Sequence, residues 1–120
     1  MNTPSTISKS DSSDFVFDHV REVGADHSGR RLTSLAAIGS RFERCRFDKV
    51  RSPTVAFGSG TELTEYVDCS FDGARFTTVA AGFSRFVRCS FRNVDLKGFG
   101  SDYLELVDCV FTGKLRTTVF

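Results

Sequence analysis

Four cysteines, one histidine-bearing triplet and a pair of aspartates are the residues of this 120-residue chain whose types could do chemistry. Cys45, Cys69, Cys89 and Cys109 recur at an even interval, the first gap being slightly longer than the other two. Thiolates bind zinc, but such sites draw on close C-x-x-C pairs or neighbouring histidines, and neither His19 nor His27 adjoins a cysteine. The N-terminus lacks the charged-then-apolar pattern of a secretory signal, which speaks against disulfides. The thiols are therefore read as reduced, buried small hydrophobes that hold no metal. Asp26-His27-Ser28 contains the residue types of a hydrolase triad, yet residues adjacent in sequence cannot supply that geometry, and a polar loop is expected instead. Asp48 and Asp72 occupy equivalent places, as an acid/base pair would, but the next equivalent places carry Arg92 and Thr112. Gly98-Phe99-Gly100 reads as a turn, not as a phosphate-cradling loop. No catalytic, cofactor-binding or metal residue is assigned, and the chain is read as not being an enzyme.

The cysteine spacing belongs to a wider echo. Phe42-Glu43-Arg44-Cys45-Arg46-Phe47 returns as Tyr66-Val67-Asp68-Cys69-Ser70-Phe71, as Phe86-Val87-Arg88-Cys89-Ser90-Phe91 and as Leu106-Val107-Asp108-Cys109-Val110-Phe111. A fixed period of about 20 residues marks units that bury their apolar side only by stacking on one another. Within a unit the apolar positions step by two, three and five, which fits neither a helix nor a long alternating strand. A turn at every fifth position makes each unit a square coil whose four short sides point two side chains inward. With Phe47 as one centre, the other sides of that coil centre on Phe42, Ser52 and Phe57. Cys45/Cys69/Cys89/Cys109 and Phe47/Phe71/Phe91/Phe111 then form inward ladders. So do Val50/Ala74/Val94/Lys114 and Val55/Val79/Phe99/Val119. Small and large residues alternate along each side, as filling a narrow interior requires.

Cys-Ser-Phe-Asp-Gly at 69–73, Cys-Ser-Phe-Arg-Asn at 89–93 and Cys-Arg-Phe-Asp-Lys at 45–49 carry a resemblance. Over roughly residues 40–119 the chain resembles the pentapeptide-repeat family. That resemblance implies an all-β fold, a right-handed quadrilateral β-helix, here of about four coils. Four extra residues around Ser59 to Leu63 interrupt the repeat, and a loop or bulge is expected there. Ala81 and Ser101 also depart from the template at the centre of the fourth side.

Three segments follow. Residues 1–13, rich in Ser and Thr, are expected to be a disordered tail. Residues 14–40 are read as an irregular N-terminal coil or cap. In it Phe15-Val16-Phe17-Asp18-His19-Val20-Arg21 copies Cys45 to Arg51 at a distance of a coil and a half, with an insertion at Gly24 to Arg31 and a short helix over Leu32 to Ile38. Residues 41–120 form the repeat proper. In its last coil Lys114 and Arg116 take slots that held Val94 and Leu96, so the coil is expected to be open and available for docking. A second copy of the chain, or a further C-terminal portion of a longer repeat protein, is expected to dock there, and the resemblance favours the homodimer.

The residue before each cysteine reads Arg44, Asp68, Arg88, Asp108. On the outside of stacked coils, neighbours lie about 4.8 Å apart, so each cation faces an acid above or below. Such a column selects the correct stacking against like-charge slips. Overall the chain holds 16 Lys and Arg against 15 Asp and Glu, so no strong net field draws in nucleic acid or an anionic membrane. No apolar run approaches spanning length, and the protein is read as cytoplasmic. The expected function is a non-catalytic protein-binding or scaffold module of unknown partner. The family resemblance implies one alternative, a DNA mimic that modulates a type II topoisomerase such as DNA gyrase. Mimicry needs an acidic surface, whereas residues 41–120 carry 12 basic and 10 acidic residues, a net of +2.

Overall fold

The computed structural model describes residues 14–58, 61–98 and 103–116, with side chains through residue 114. Among these residues eleven strands form two parallel sheets: β1(Asp14–Asp18), β2(Arg21–Val23), β3(Ser34–Ile38), β4(Arg41–Glu43), β5(Arg51–Ala56), β6(Thr64–Val67), β7(Arg75–Ala80), β8(Ser84–Val87), β9(Ser90–Lys97), β10(Leu104–Val107) and β11(Val110–Arg116). The odd strands build one sheet in the order β1-β3-β5-β7-β9-β11 and the even strands the other, β10-β8-β6-β4-β2. Every strand pairs with its counterpart one turn away, so the chain is a β-solenoid of about five turns. Among the described residues there is no helix, and none therefore long and apolar enough to cross a membrane. The expected tail at residues 1–13 lies outside the described residues, as do Phe99, Ser101 and Val119.

Each strand is too short to be stable alone and takes its hydrogen bonds from adjacent turns. Along the cysteine column the amides of Arg46, Ser70, Ser90 and Val110 donate to the carbonyls of Ala25, Cys45, Cys69 and Cys89 at 2.9–3.1 Å. In the second turn the buried residues come in four pairs, Leu35/Ala37, Ser40/Phe42, Cys45/Phe47 and Val50/Ser52, one pair to each side. The rings stack face to face from turn to turn. Phe47–Phe71, Phe71–Phe91 and Phe91–Phe111 centroids are 5.1, 4.7 and 4.6 Å apart at interplanar angles of 4–7°. Tyr66 sits between Phe42 and Phe86 in the next column, and its hydroxyl donates to the Phe57 carbonyl at 2.8 Å. Buried serines and threonines are satisfied in the same way. Ser40 Oγ, for example, accepts from the Val20 amide and lies 3.0 Å from the Phe17 carbonyl.

Three expectations are corrected by the register. The first turn is regular, because Asp14–Asp18 pairs with Ser34–Ile38, Arg21 with Arg41, Asp26 with Arg46 and Arg31 with Arg51, always at the same one-turn offset. There is no insertion at Gly24 to Arg31, and Ser34–Ile38 is strand β3, not helix. The inward slots of this turn hold Glu22, Ala25, His27 and Arg30, all half-buried, where later turns hold Phe42, Cys45, Phe47 and Val50. The repeat is present but its apolar signature is not. Finally, β11 is one residue short against β9: Phe111 pairs with Phe91, but Gly113 pairs with Val94, Lys114 with Asp95 and Arg116 with Lys97. Lys114 thus leaves the inward ladder assigned to it and lies beside an aspartate, while Leu115 takes the place opposite Leu96. Gly113 makes the shift workable. Its φ is +103°, and a Cβ there would run into the Val94 carbonyl.

The four extra residues fall where expected. Leu35 pairs with Val55 at the ordinary offset, whereas Phe42 pairs with Tyr66 at an offset longer by four, which locates them between Phe57 and Thr64. Gly58 opens this excursion, and a Cβ on it would collide with the Gly82 carbonyl oxygen of the next turn.

Candidate functional site

The four thiols are free, and Cys45, Cys69 and Cys89 are buried. Each faces two backbone carbonyls. Cys89 Sγ, for instance, lies 3.2 Å from the Tyr66 oxygen and 3.5 Å from that of Val87. Burial pushes the Cys45 thiol up, and contact with Cys69 followed by burial does the same for Cys89. A raised thiol is a poor nucleophile and a poor metal ligand. Among the described residues no three His, Cys, Asp or Glu side chains converge on a common point.

Asp26, His27 and Ser28 point different ways. Asp26 Oδ1 accepts from the Ser28 amide at 2.9 Å, a local turn that lowers the carboxyl pKa through its hydrogen bonds to Ser28. His27 turns inward, stacks on Phe47 at 5.1 Å and pairs with Glu22 at 2.8 Å, while Arg30 covers Phe15 at 5.5 Å. The first turn thus closes its end with polar groups. Asp48 and Asp72 are also structural in geometry. Asp48 Oδ1 accepts from the Asp72 amide, and Asp72 Oδ1 from the Arg92 amide, both at 2.9 Å, so each carboxylate ties its corner to the next turn.

Corners are the second notable class of position. Arg44, Asp68, Arg88 and Asp108 have φ values of 53°, 55°, 52° and 54°, and their column begins at Gly24 with φ 72°. All four side chains are exposed. Arg88 and Asp68 form a two-pronged pair at 2.7 and 3.1 Å; that hydrogen bond lowers the Asp68 pKa and raises that of Arg88. Arg44 and Asp108 contribute through their charge on the same pair.

A neighbouring column is neutralised more completely. Arg21, Arg41, Glu65, Arg85 and Glu105 pair in register across β2, β4, β6, β8 and β10. Arg41 reaches Glu65 and Glu43, both at 2.6 Å, and Arg85 reaches Glu65 at 3.2 Å and Glu105 at 3.0 Å. The Glu43 pKa is lowered by its hydrogen bond to Arg41.

The other sheet is different. Arg31 pairs with Arg51 and Arg51 with Arg75, so three exposed arginines follow one another in successive turns before Asp95. Among the described residues none of the three has a carboxylate within ion-pair distance. They line an open groove of about 510 Å³ together with Pro53, Thr77 and Asp95. Exposed Lys49 joins Arg51, Arg75 and Asn93 along an adjoining groove of about 380 Å³.

Another corner column carries aromatic residues. Phe83 and Tyr103 have φ values of 58° and 59° and meet edge to face at 4.7 Å. With Leu63 and Glu105 they line a recess of about 260 Å³. Tyr103 is 72% and Leu63 49% exposed, and exposed Leu106 and Val107 lie on β10 just beyond. Neither the arginine row nor this corner follows from an apolar repeat. The row was legible as Arg31, Arg51 and Arg75 recurring once per turn; the corner had no signal, because bulky residues are not expected at left-handed φ.

In comparisons with known proteins, no family model, no curated protein and no solved structure matches this chain.

Proposed function

We propose that this β-solenoid is a non-catalytic scaffold that binds a protein partner at the Phe83–Tyr103 corner. The observation that carries the reading is the backbone at those two residues. A left-handed conformation costs an L-residue about 1–2 kcal/mol, and at the other corners this chain often places Gly, Asn or Asp there. Two aromatics kept in such a place, with Tyr103 largely exposed, are unfavourable for folding and suited to contact. The recess they line accepts one apolar side chain. Glu105, which pairs with Arg85, lines it as well. An aromatic centre within a charged rim is the composition of a protein–protein interface. The resemblance to pentapeptide-repeat proteins agrees with such a scaffold. Engagement of Asp26, Asp48 and Asp72 in backbone hydrogen bonds, and of His27 with Glu22 and Phe47, supports the non-catalytic reading.

The test compares the wild type, Tyr103→Ser and Arg88→Gln as baits in an extract of the source organism. A protein retained by the wild type and Arg88→Gln but lost by Tyr103→Ser supports the corner. Equal recovery by all three overturns it. Concentration-dependent self-association abolished by Tyr103→Ser would make the partner a second copy of the chain.

Topoisomerase modulation by duplex mimicry is the second reading. The unneutralised arginine row weighs against it, because a mimic must repel a DNA-binding channel nowhere along its length. Loss of gyrase supercoiling on adding the protein would reverse that preference.

A further inference from the structure

The two sheets treat charge in opposite ways. On the even-strand sheet Arg21 and Arg41 are followed by Glu65, Arg85 and Glu105 in alternation, and every arginine of that column reaches a carboxylate. On the odd-strand sheet Arg31, Arg51 and Arg75 stand directly in line, one per turn. Like charges at directly opposed positions of a sheet destabilise it, and the even-strand column, with one such pair at Arg21 and Arg41, supplies each of its arginines with a carboxylate at the same spacing. A like-charge row is therefore a feature that folding alone disfavours and an anion would reward.

We propose that the Arg31–Arg51–Arg75 row binds a linear polyphosphate, either free or as the triphosphate of a nucleotide. The row runs across the strands, so its cations recur about every 4.8 Å. Alternate phosphates of a linear polyphosphate are separated by about one such step. Each guanidinium offers two parallel N–H groups that match two oxygens of a phosphate. An extended acidic peptide presents same-side carboxylates about 6.6 Å apart and falls out of step by the second rung. Asp95 follows Arg75 in the row and places a carboxylate at that end, which closes the row at three cations. The outer phosphates of a triphosphate engage two neighbouring rungs, and a longer chain engages all three. Lys49 lies beside Arg51 and Arg75 and adds a point charge to the same anion. Pro53 and Thr77 form the wall of the groove, and no part of it belongs to the Phe83–Tyr103 recess. The two surfaces are thus separate, and each can fail without the other.

Calorimetric titration of the full chain with sodium tripolyphosphate at low ionic strength tests the site. The expected result is one saturable site, weakened at least about tenfold by Arg51→Gln and unchanged by Arg88→Gln, with orthophosphate at least about tenfold weaker than tripolyphosphate. ATP bound as tightly as tripolyphosphate assigns recognition to the triphosphate alone; tighter ATP makes a nucleotide the source, and weaker ATP a free polyphosphate. Arg51→Gln should melt no lower than the wild type at low salt, because it relieves like-charge contact, so lost binding is not lost folding. Should Arg51→Gln fail to fold, the double variant Arg31→Gln/Arg75→Gln supplies the same readout, because it leaves Arg51 with no neighbouring arginine. Tripolyphosphate should also raise the melting temperature of the wild type and not of either variant. Non-saturable binding, or binding left within about twofold by both variants, overturns the proposal. So does tighter binding of polyglutamate or of a short DNA duplex.

Discussion

Arg88 reaches one turn back to hold Asp68 with two hydrogen bonds, Nε to Oδ1 at 2.7 Å and Nη2 to Oδ2 at 3.1 Å. Both residues sit at left-handed corners, so a strained backbone position is used to aim a charge along the axis of the solenoid. The pair is exposed, and its main effect is on register: a slip by one turn would set arginine on arginine or aspartate on aspartate.

Reversing Asp68 to Arg puts three cations in consecutive turns. The melting temperature should fall, and fall more at low salt than at high salt. Adding Arg88→Asp should recover part of the loss, and additivity in that cycle, read by thermal melts, would show that the side chains do not interact. The Asp68 pKa is depressed by Arg88. Its contribution is accordingly present above the unfolded carboxyl pKa and fades as pH falls through the lower folded value.

His19 makes the opposite pH dependence. Its ring lies 2.8 Å from Glu62, at the end of the four-residue excursion, and 2.5 Å from Asp18, and the Glu62 hydrogen bond is the main cause of its raised pKa. The charged ring stabilises this contact fully below about pH 6.5, the unfolded value, and the contribution disappears as pH rises through the folded value. Melting curves across pH 5–9 should converge at the alkaline end for wild type and His19→Gln; parallel curves would refute the contact.

Substitutions inside the ladders should separate by size. Phe71 stacks on Phe47 and Phe91, and Phe71→Ala should cost about 3–5 kcal/mol, whereas Cys69→Ala leaves a small cavity worth about 1 kcal/mol. Chemical denaturation measures both. A thiol assay on the unfolded protein should count all four cysteines, and on the folded protein Cys109, the least buried, should react first.

Gly58→Ala should destabilise by about 1–3 kcal/mol, because the new methyl meets the Gly82 backbone, which cannot swing aside like a side chain. Gly24→Ala is the control. Its φ is +72°, but nothing lies within 4 Å of the new methyl, so only backbone strain is added.

Legibility in the sequence followed chemistry more than spacing. Cys69/Cys89 and Phe71/Phe91 announced their ladders because one residue type recurs once per turn in the slot the fold needs. The first turn obeys the same spacing but fills those slots with Glu22, His27 and Arg30, which satisfy polar and aromatic neighbours at an end of the stack, and so it reads as irregular. At the last turn a single missing residue opposite Arg92 and Asn93 moved Lys114 from the ladder of Val94 to a place beside Asp95. The arginine row was visible as spacing, but a net charge near zero averages it against the paired columns and hides it. Phe83 and Tyr103 were hidden for another reason, since their placement contradicts local preference.

Because each turn bonds only to the turn before and after it, the length of this protein is adjustable in whole units. Duplicating residues 69–88, one complete circuit, should insert a rung that inherits the Cys, Phe and corner positions of its neighbours and lengthen the rod by about 4.8 Å. The same edit separates Arg75 from Asp95 by a second copy of Arg75, adding a fourth cation to the row, and sets a second copy of Arg88 beside the first in the corner column. The molecule is in this sense a ruler, and what it measures can be reset one mark at a time.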